Sequence, residues 1–265
     1  MNTFRSPLFR QMLFLGWLVP TVIYGQSNGA HAGYQQRFKS GPTQVDLIEL
    51  YTSEGCRSCP SADRWLSQLK SHPELWQDLV PVAFHVDYWN YLGWRDRFAL
   101  PEYSQRQRRY AREHGESTVY TPGLRWNGDE WRDWRRATTP ESRTVEAPGV
   151  LQLDVLTAGQ FDAQFNASHA QSAEHSRTLT VAILGMGLVS NVARGENRGR
   201  VLRHDFVVLG LRRFAEQGAG KWSGEFPRPD QAASRYALVA WVTQGNRLTP
   251  LQATGGYLNQ DLLSE

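Results

Sequence analysis

The chain has 265 residues, 40% hydrophobic and 12% aromatic, with 29 Lys and Arg against 26 Asp and Glu for a formal charge of +3. That much apolar material excludes a disordered chain and suffices for one large domain or two ordinary ones. The near balance of charge excludes the clustered positive field that phosphate-backbone binding needs, so nucleic acid is not an expected partner.

The first 32 residues predict an export signal. Arg5 and Arg10 supply a positive flank, and residues 12–25 (MLFLGWLVPTVIYG) an apolar run of signal-peptide length, too short to span a bilayer comfortably. Cleavage after Gly25 and cleavage after Ala32, in the Ala30-His31-Ala32 pattern, both remain open. The alternative is an uncleaved anchor or a core helix; Pro20 and the polar stretch from Gln26 favour export. The mature protein is then expected in the periplasm or outside the cell, without stable membrane insertion. Removal of the leader takes two arginines and no acid, leaving the chain close to neutral.

Residues 45–52 (VDLIELYT) form a β-branched apolar run bounded by Gly41-Pro42 and Ser53-Glu54-Gly55, which predicts a buried strand. From Pro60, Ala62, Trp65, Leu66 and Leu69 fall at i, i+3, i+4 and i+7, one face of a helix that Pro73 bounds. Residues 80–86 (VPVAFHV) predict a second strand, with proline tolerated at its start. Two strands around one helix suggest a parallel β-α-β unit. A polar helix is expected over 101–114, ending at Gly115, and Asn127-Gly128 predicts a hairpin turn. Beyond a boundary near residue 148, runs at 151–156, 178–184, 201–209 and 236–243 read as strands, with a hint of helix at 161–171 and a β-sandwich as the favoured form.

Only two cysteines are present, Cys56 and Cys59, in Cys-Arg-Ser-Cys between the first strand and the first helix. Sulfurs at this spacing can close a small disulfide reversibly, and a helix N-terminus with Arg57 beside it favours a thiolate. Cys56 is assigned as the attacking thiolate and Cys59 as the resolving thiol. As a staple the pair would be poor: a loop of about four residues contributes about 2 kcal/mol of chain entropy, against 4 to 5 for a loop near 100. Pro60 disfavours helical torsions at Cys59, so the helix starts either at the dithiol or just after it.

Other candidates carry open alternatives. Glu49 either shuttles protons for the resolving thiol or points to solvent at an edge. His85 is either a satisfied core histidine or a functional group. Tyr88 and Trp89, in the aromatic stretch with Tyr91, Leu92 and Trp94, either cradle a substrate or pack over the core. Thr121-Pro122 is either a trans turn or a cis bond. The Gly195–Gly199 loop and Gly185-Met186-Gly187 lack a strand-then-helix phosphate-loop context and read as hairpin connections. His204 and Asp205 belong to a strand, on opposite faces.

The stretches ELYTSEGCRSCPSAD (49–63), AFHVDYWNYLGW (83–94), VYTP (119–122) with Asn127-Gly128, and RGENRGR (194–200) with His204-Asp205 resemble a family of secreted bacterial proteins, domain of unknown function 1223, counted among thioredoxin-like folds. The resemblance covers most of the chain after residue 44. It implies export, a dithiol and a thioredoxin-like fold; with the boundary near 148, the expected architecture is a thioredoxin-like α/β domain over 41–148 followed by the β-rich, sandwich-like domain over 149–265. It also implies that Thr121 and Pro122, as a cis-proline element, face the cysteines and pair with the substrate chain; Arg57, Tyr88 and Trp89 are the further substrate-binding candidates read from the residues themselves. Arg57, Ser61 and Arg125 depart from the family's usual residues.

The expected function is an exported thiol–disulfide oxidoreductase acting on protein or small thiol substrates, with periplasmic protein thiols or disulfides as partners and no cofactor. Two alternatives remain: a Cu(I) or other metal-binding protein using Cys56, Cys59 and His85, and a partner-binding module without turnover.

Overall fold

A computed structural model describes residues 1–3, 34–136, 145–168 and 176–263. The chain divides into Met1–Ala32 and Gly33–Glu265, and every element below belongs to the second unit. The expected leader, its apolar run and both cleavage points lie outside the described residues. Among the described residues no helix is long and apolar enough to cross a membrane.

The elements run β1 (Gln36–Lys39), β2 (Asp46–Thr52), α1 (Cys59–Gln68), β3 (Leu79–His85), α2 (Pro101–Glu113), β4 (Gly123–Trp126), β5 (Asp129–Glu130), β6 (Gly149–Val155) and β7 (Gln160–Ala167). There follow β8 (Arg177–Met186), β9 (Leu188–Asn191), β10 (Val201–His204), β11 (Val207–Ala215), β12 (Lys221–Glu225), β13 (Arg235–Gln244) and β14 (Pro250–Tyr257). Eight of the strands form one mixed sheet in the order β14-β13-β8-β11-β3-β2-β4-β5.

That sheet overturns the expected fold class. A thioredoxin-like α/β domain followed by a separate sandwich-like β domain would leave the two halves with their own sheets. Instead β11 lies between β8 and β3, pairing parallel to β3 through Val207 and Ala83 and antiparallel to β8. The reason is burial. All seven residues of β3 are buried, as are all seven of β2, and a strand buried on both faces at the centre of a sheet needs neighbours on both edges. β3 takes β2 on one side and β11 on the other, and the molecule is a mainly β protein.

Helices cover part of the sheet. Along β2 the side chains alternate: Glu49 and Tyr51 meet Arg106 and Tyr110 of α2, whereas Thr52 bonds Asp63 of α1. Trp65 of α1 packs edge-on to Trp131 and Trp134. A second, antiparallel sheet, β1-β6-β7-β12, contributes Phe38, Leu153, Phe165 and Trp222 to a core shared with Val181 of β8 and Leu238 and Ala240 of β13. Each such side chain, fully buried, is worth roughly 1.5 to 3 kcal/mol.

Two local expectations change. Residues 161–171 hinted at helix, but β7 is a strand because Phe161, Ala163 and Phe165 are buried in strict alternation; residues 169–171 lie outside the described set. The single strand expected over 201–209 is two, β10 and β11, broken where Phe206 adopts φ 59°. Asn127 (φ 49°) and Gly128 (φ 95°) make the two-residue turn between β4 and β5, both in the left-handed region that such a hairpin requires.

Candidate functional site

β2 ends at Thr52, and the backbone turns through Ser53–Ser58 into α1. The Cys56 N–H donates to the Ser53 carbonyl at 3.1 Å, and the Cys59 N–H to the Cys56 carbonyl at 3.3 Å. Cys59 is the first helical residue and Pro60 the second, where a missing donor costs the helix nothing. Cys56 therefore lies just ahead of the helix. The two cysteines form a disulfide, with Cα atoms 5.4 Å apart. Both are buried, 1% and 0% exposed, while Arg57 and Ser58 between them are exposed.

Two segments hold this loop. One is the connection between β9 and β10, which behaves as the expected hairpin link and also docks on the dithiol. Buried Asn197 donates from Nδ2 to the carbonyls of Glu54 (2.8 Å) and Cys56 (2.9 Å), and its Oδ1 accepts from Arg200 Nη1 at 2.8 Å. Glu196 accepts from the Arg57 N–H at 3.0 Å. The other is Trp89. A Cβ on residue 55 would lie 2.9 Å from Trp89 Cβ and 3.2 Å from its carbonyl, so only glycine allows this approach. Trp89 Nε1 donates to Thr121 Oγ1 at 2.7 Å, and the Thr121–Pro122 peptide is cis. Trp89 thus bridges the dithiol loop and Thr121. Tyr88 donates to Gln107 Oε1 at 3.1 Å, and burial pushes its phenol up to about 12.

Behind the loop lies a buried cluster of acids and imidazoles drawn from five places in the chain: Glu54, Asp63 of α1, His85 at the end of β3, Asp96, and His204 at the end of β10. His85 Nδ1 is 2.7 Å from Asp96 Oδ2. The His204 ring lies 3.3 Å from Glu54 through Nε2 and 3.8 Å from Asp63 through Nδ1, and meets the His85 ring edge-on at 4.9 Å. Trp94 donates to Glu54 at 2.7 Å and Thr52 to Asp63 at 2.8 Å. Four buried atoms, Glu54 Oε1, His85 Nε2 and both ring nitrogens of His204, make no directed hydrogen bond. Unsatisfied buried polar atoms are costly and rare in folded proteins, so their gathering at one place marks it out.

The charges of the cluster are set by burial against neighbours. Burial alone would lower His85, but the Asp96 carboxylate beside it outweighs this and raises it to about 8. Burial pushes Asp96 up, and His85 together with the N–H groups of Glu54 and Phe98 holds it below the usual range. Glu54 is likewise held down, against its burial, by His204. Asp63 is raised, chiefly by burial. Because the folded His85 lies above its ordinary value of 6.5, its contribution to stability is complete below that pH and is lost as pH rises toward about 8. Imidazole resonances followed by NMR should titrate with a midpoint near 8 for His85 and fall toward the ordinary value in Asp96→Asn; a His85 midpoint near 6.5 in the wild type would contradict the pairing.

The residues expected to act divide accordingly. Cys56, Cys59 and Arg57 share the dithiol loop, Trp89 packs on that loop at Gly55 and bonds Thr121, Tyr88 stands beside Trp89, and Pro122 is buried. Glu49 lies on the α2 side of the sheet, neither at a solvent edge nor on the α1 side. Its carboxylate accepts from Arg106 Nε and Nη2 (2.8 Å each), Tyr51 (2.8 Å) and Tyr110 (2.6 Å). These partners hold it below the usual carboxylate range despite its burial. His85 is turned to Asp96, and among the described residues no three of His, Cys, Asp and Glu are gathered as a metal ion would need. Sequence reasoning did not single out Glu54, Asp63, Asp96, Asn197 or His204 as site residues. Four of them stand inside the stretches 49–63, 194–200 and 204–205 that carried the family resemblance, which was the available signal.

Two solved structures resemble the chain in fold. One is the crystal structure of a protein from Agrobacterium tumefaciens, 22% identical, covering 80% of this chain and 94% of that one with a TM-score of 0.53. The other is HBP35 of Porphyromonas gingivalis, 14% identical, covering 82% of this chain and 76% of that one, also with a TM-score of 0.53. No curated protein matches the sequence. The family described as protein of unknown function DUF1223 matches residues 47–243, which take in the dithiol loop, the buried acid–imidazole cluster and the β9–β10 connection; the chain belongs to the DUF1223 family.

Proposed function

We propose that the protein is a thiol–disulfide oxidoreductase working through Cys56 and Cys59. The observation that carries this reading is the closure of these two residues across a three-residue separation at the start of α1. A loop that short stabilises a fold by only about 2 kcal/mol, so reversible chemistry is the better use of it. In the oxidising direction a thiolate RS⁻ attacks the disulfide, forms a mixed disulfide with one cysteine and releases the other as a thiolate. A second RS⁻ then attacks the mixed disulfide, giving RSSR and the dithiol, which takes up two protons. In the reducing direction the Cys56 thiolate attacks RSSR and expels RS⁻, and Cys59 then attacks Cys56 Sγ and expels the second RS⁻. The buried acids and imidazoles beside the loop can hold the protons that these steps take up and release.

Burial of both sulfurs makes the β9–β10 connection a clamp that must yield before a thiol reaches them. Asn197→Ala removes both bonds to the dithiol loop, and reduction of the disulfide by dithiothreitol should quicken by about tenfold, the equivalent of roughly one net hydrogen bond. An unchanged rate would show that the connection does not limit access.

Export is part of the same proposal, since a working disulfide persists in an oxidising compartment. Protein recovered from a periplasmic fraction should begin at residue 26 or 33; a mature protein beginning at Met1 would remove it.

A further inference from the structure

We propose that the exchange partner carries carboxylates close to its sulfur, and that arginines around the dithiol select it; the inference rests on the exchange reading above. Beside Pro60, between α1 and the start of β10, lies a cavity of about 160 Å³ whose charged rim is Arg64, Arg200 and Arg203. That is room for about five water molecules, enough for a carboxylate-bearing side chain and too little for a folded segment. All three guanidinium groups belong to exposed residues, and Arg57, Arg194 and Arg198 are exposed on the two loops that frame the disulfide. Against these six cations the same two loops expose a single acid, Glu196, whose carboxylate is engaged by the Arg57 N–H. Asp63 also lines the cavity but is buried, bonded to Thr52 and facing His204, with burial raising its pKa.

This concentration contrasts with a chain whose overall formal charge is only +3. A local field of one sign raises the concentration of an oppositely charged reactant at the site and speeds its arrival, an effect that salt screens. Arginine also matches a carboxylate geometrically, with two parallel N–H groups. Among the described residues neither Arg64 nor Arg203 is in an ion pair, so their forks are available. Arg200 links the rim to the chemistry. One of its N–H groups holds Asn197 Oδ1, and Asn197 in turn holds the Cys56 carbonyl, so an anion drawn to Arg200 engages the side chain that keeps the clamp in place.

The test follows oxidation of the reduced mature protein by three disulfides: oxidised glutathione, which is anionic, neutral 2-hydroxyethyl disulfide, and cationic cystamine. Each rate is divided by that of the same probe with free dithiothreitol, which removes intrinsic reactivity. The normalised glutathione rate should exceed the cystamine rate by about tenfold or more at low salt. The ratio should fall toward one in ~0.5 M salt, where the screening length is a few ångström. It should fall likewise in the double variant Arg64→Gln/Arg203→Gln, which leaves the neutral probe's rate unchanged. A ratio near one, or in favour of cystamine, at low salt overturns the inference and leaves exchange standing. A ratio that persists in the double variant overturns the assignment to this cavity. Reaction with none of the three probes overturns both the exchange reading and the inference.

Discussion

Replacing Cys56 by serine is expected to abolish thiol–disulfide exchange while leaving a folded protein. The loss of chemistry should be complete, because neither the mixed disulfide at Cys56 nor the internal disulfide can form. The loss of stability should be small: the four-residue loop accounts for about 2 kcal/mol, or about 5 °C for a protein of this size. Assay of oxidised-glutathione turnover beside a thermal melt separates the two effects. A variant that melts near the wild type but still exchanges at the wild-type rate would sink the proposed function. One that unfolds outright would show that the disulfide is structural. Cys59→Ser completes the comparison: it should trap a mixed disulfide on Cys56, visible by mass, if Cys56 attacks and Cys59 resolves.

Glu49→Gln is expected to produce the largest change in stability. Glu49 is fully buried and Arg106 nearly so, and the carboxylate is the charge that balances the guanidinium. A glutamine cannot supply that charge, and breaking one side of a buried ion pair costs about 3 to 5 kcal/mol. At this chain length that is a fall in melting temperature on the order of 10 °C. The pH dependence follows from the folded Glu49 lying below its ordinary value. Its contribution is present above the normal carboxylate range and disappears as pH falls through the lowered value, so the gap between wild type and variant should narrow in acid. The same variant tests the proton-shuttle role expected of this residue. A shuttle would show as slower exchange in a protein of near-normal stability, whereas an anchor shows as lost stability with exchange intact in the fraction that is folded.

Much of the local structure was legible in sequence because it rests on short-range chemistry. The buried run 45–52, the i, i+3, i+4, i+7 spacing after Pro60 and the Asn127-Gly128 pair mark β2, α1 and the β4–β5 turn within a residue or two. Over 161–167 Phe161, Ala163 and Phe165 alternate with polar residues, a period of two that a half-buried strand satisfies and a helix does not.

The site was legible only at its centre. Two cysteines at this spacing announce themselves, and so do the aromatic residues after β3. The partners of the dithiol loop do not, because the hydrogen bond from Asn197 to Cys56 spans 141 positions in the chain. The same holds for Glu49. Its apolar surroundings suggested an unusual carboxylate, but only the fold shows that Arg106 and Tyr110 of α2 join Tyr51, its neighbour on the same face of β2, in taking up its capacity.

By itself, then, the sequence determined the dithiol, the strand and helix on either side of it, and the turn chemistry, all of which depend on residues within a few positions of one another. The division into two separate domains was decided otherwise by tertiary structure. Fully buried β3 requires a strand on each edge, and the second comes from β11 in the other half of the chain. That one parallel pairing joins the halves into a single sheet. His204 ends β10, which pairs with β9 in a small sheet of its own, and the β9–β10 connection brings Asn197 and Arg200 to the dithiol. Their roles depend on distances in space, which no spacing along the chain encodes.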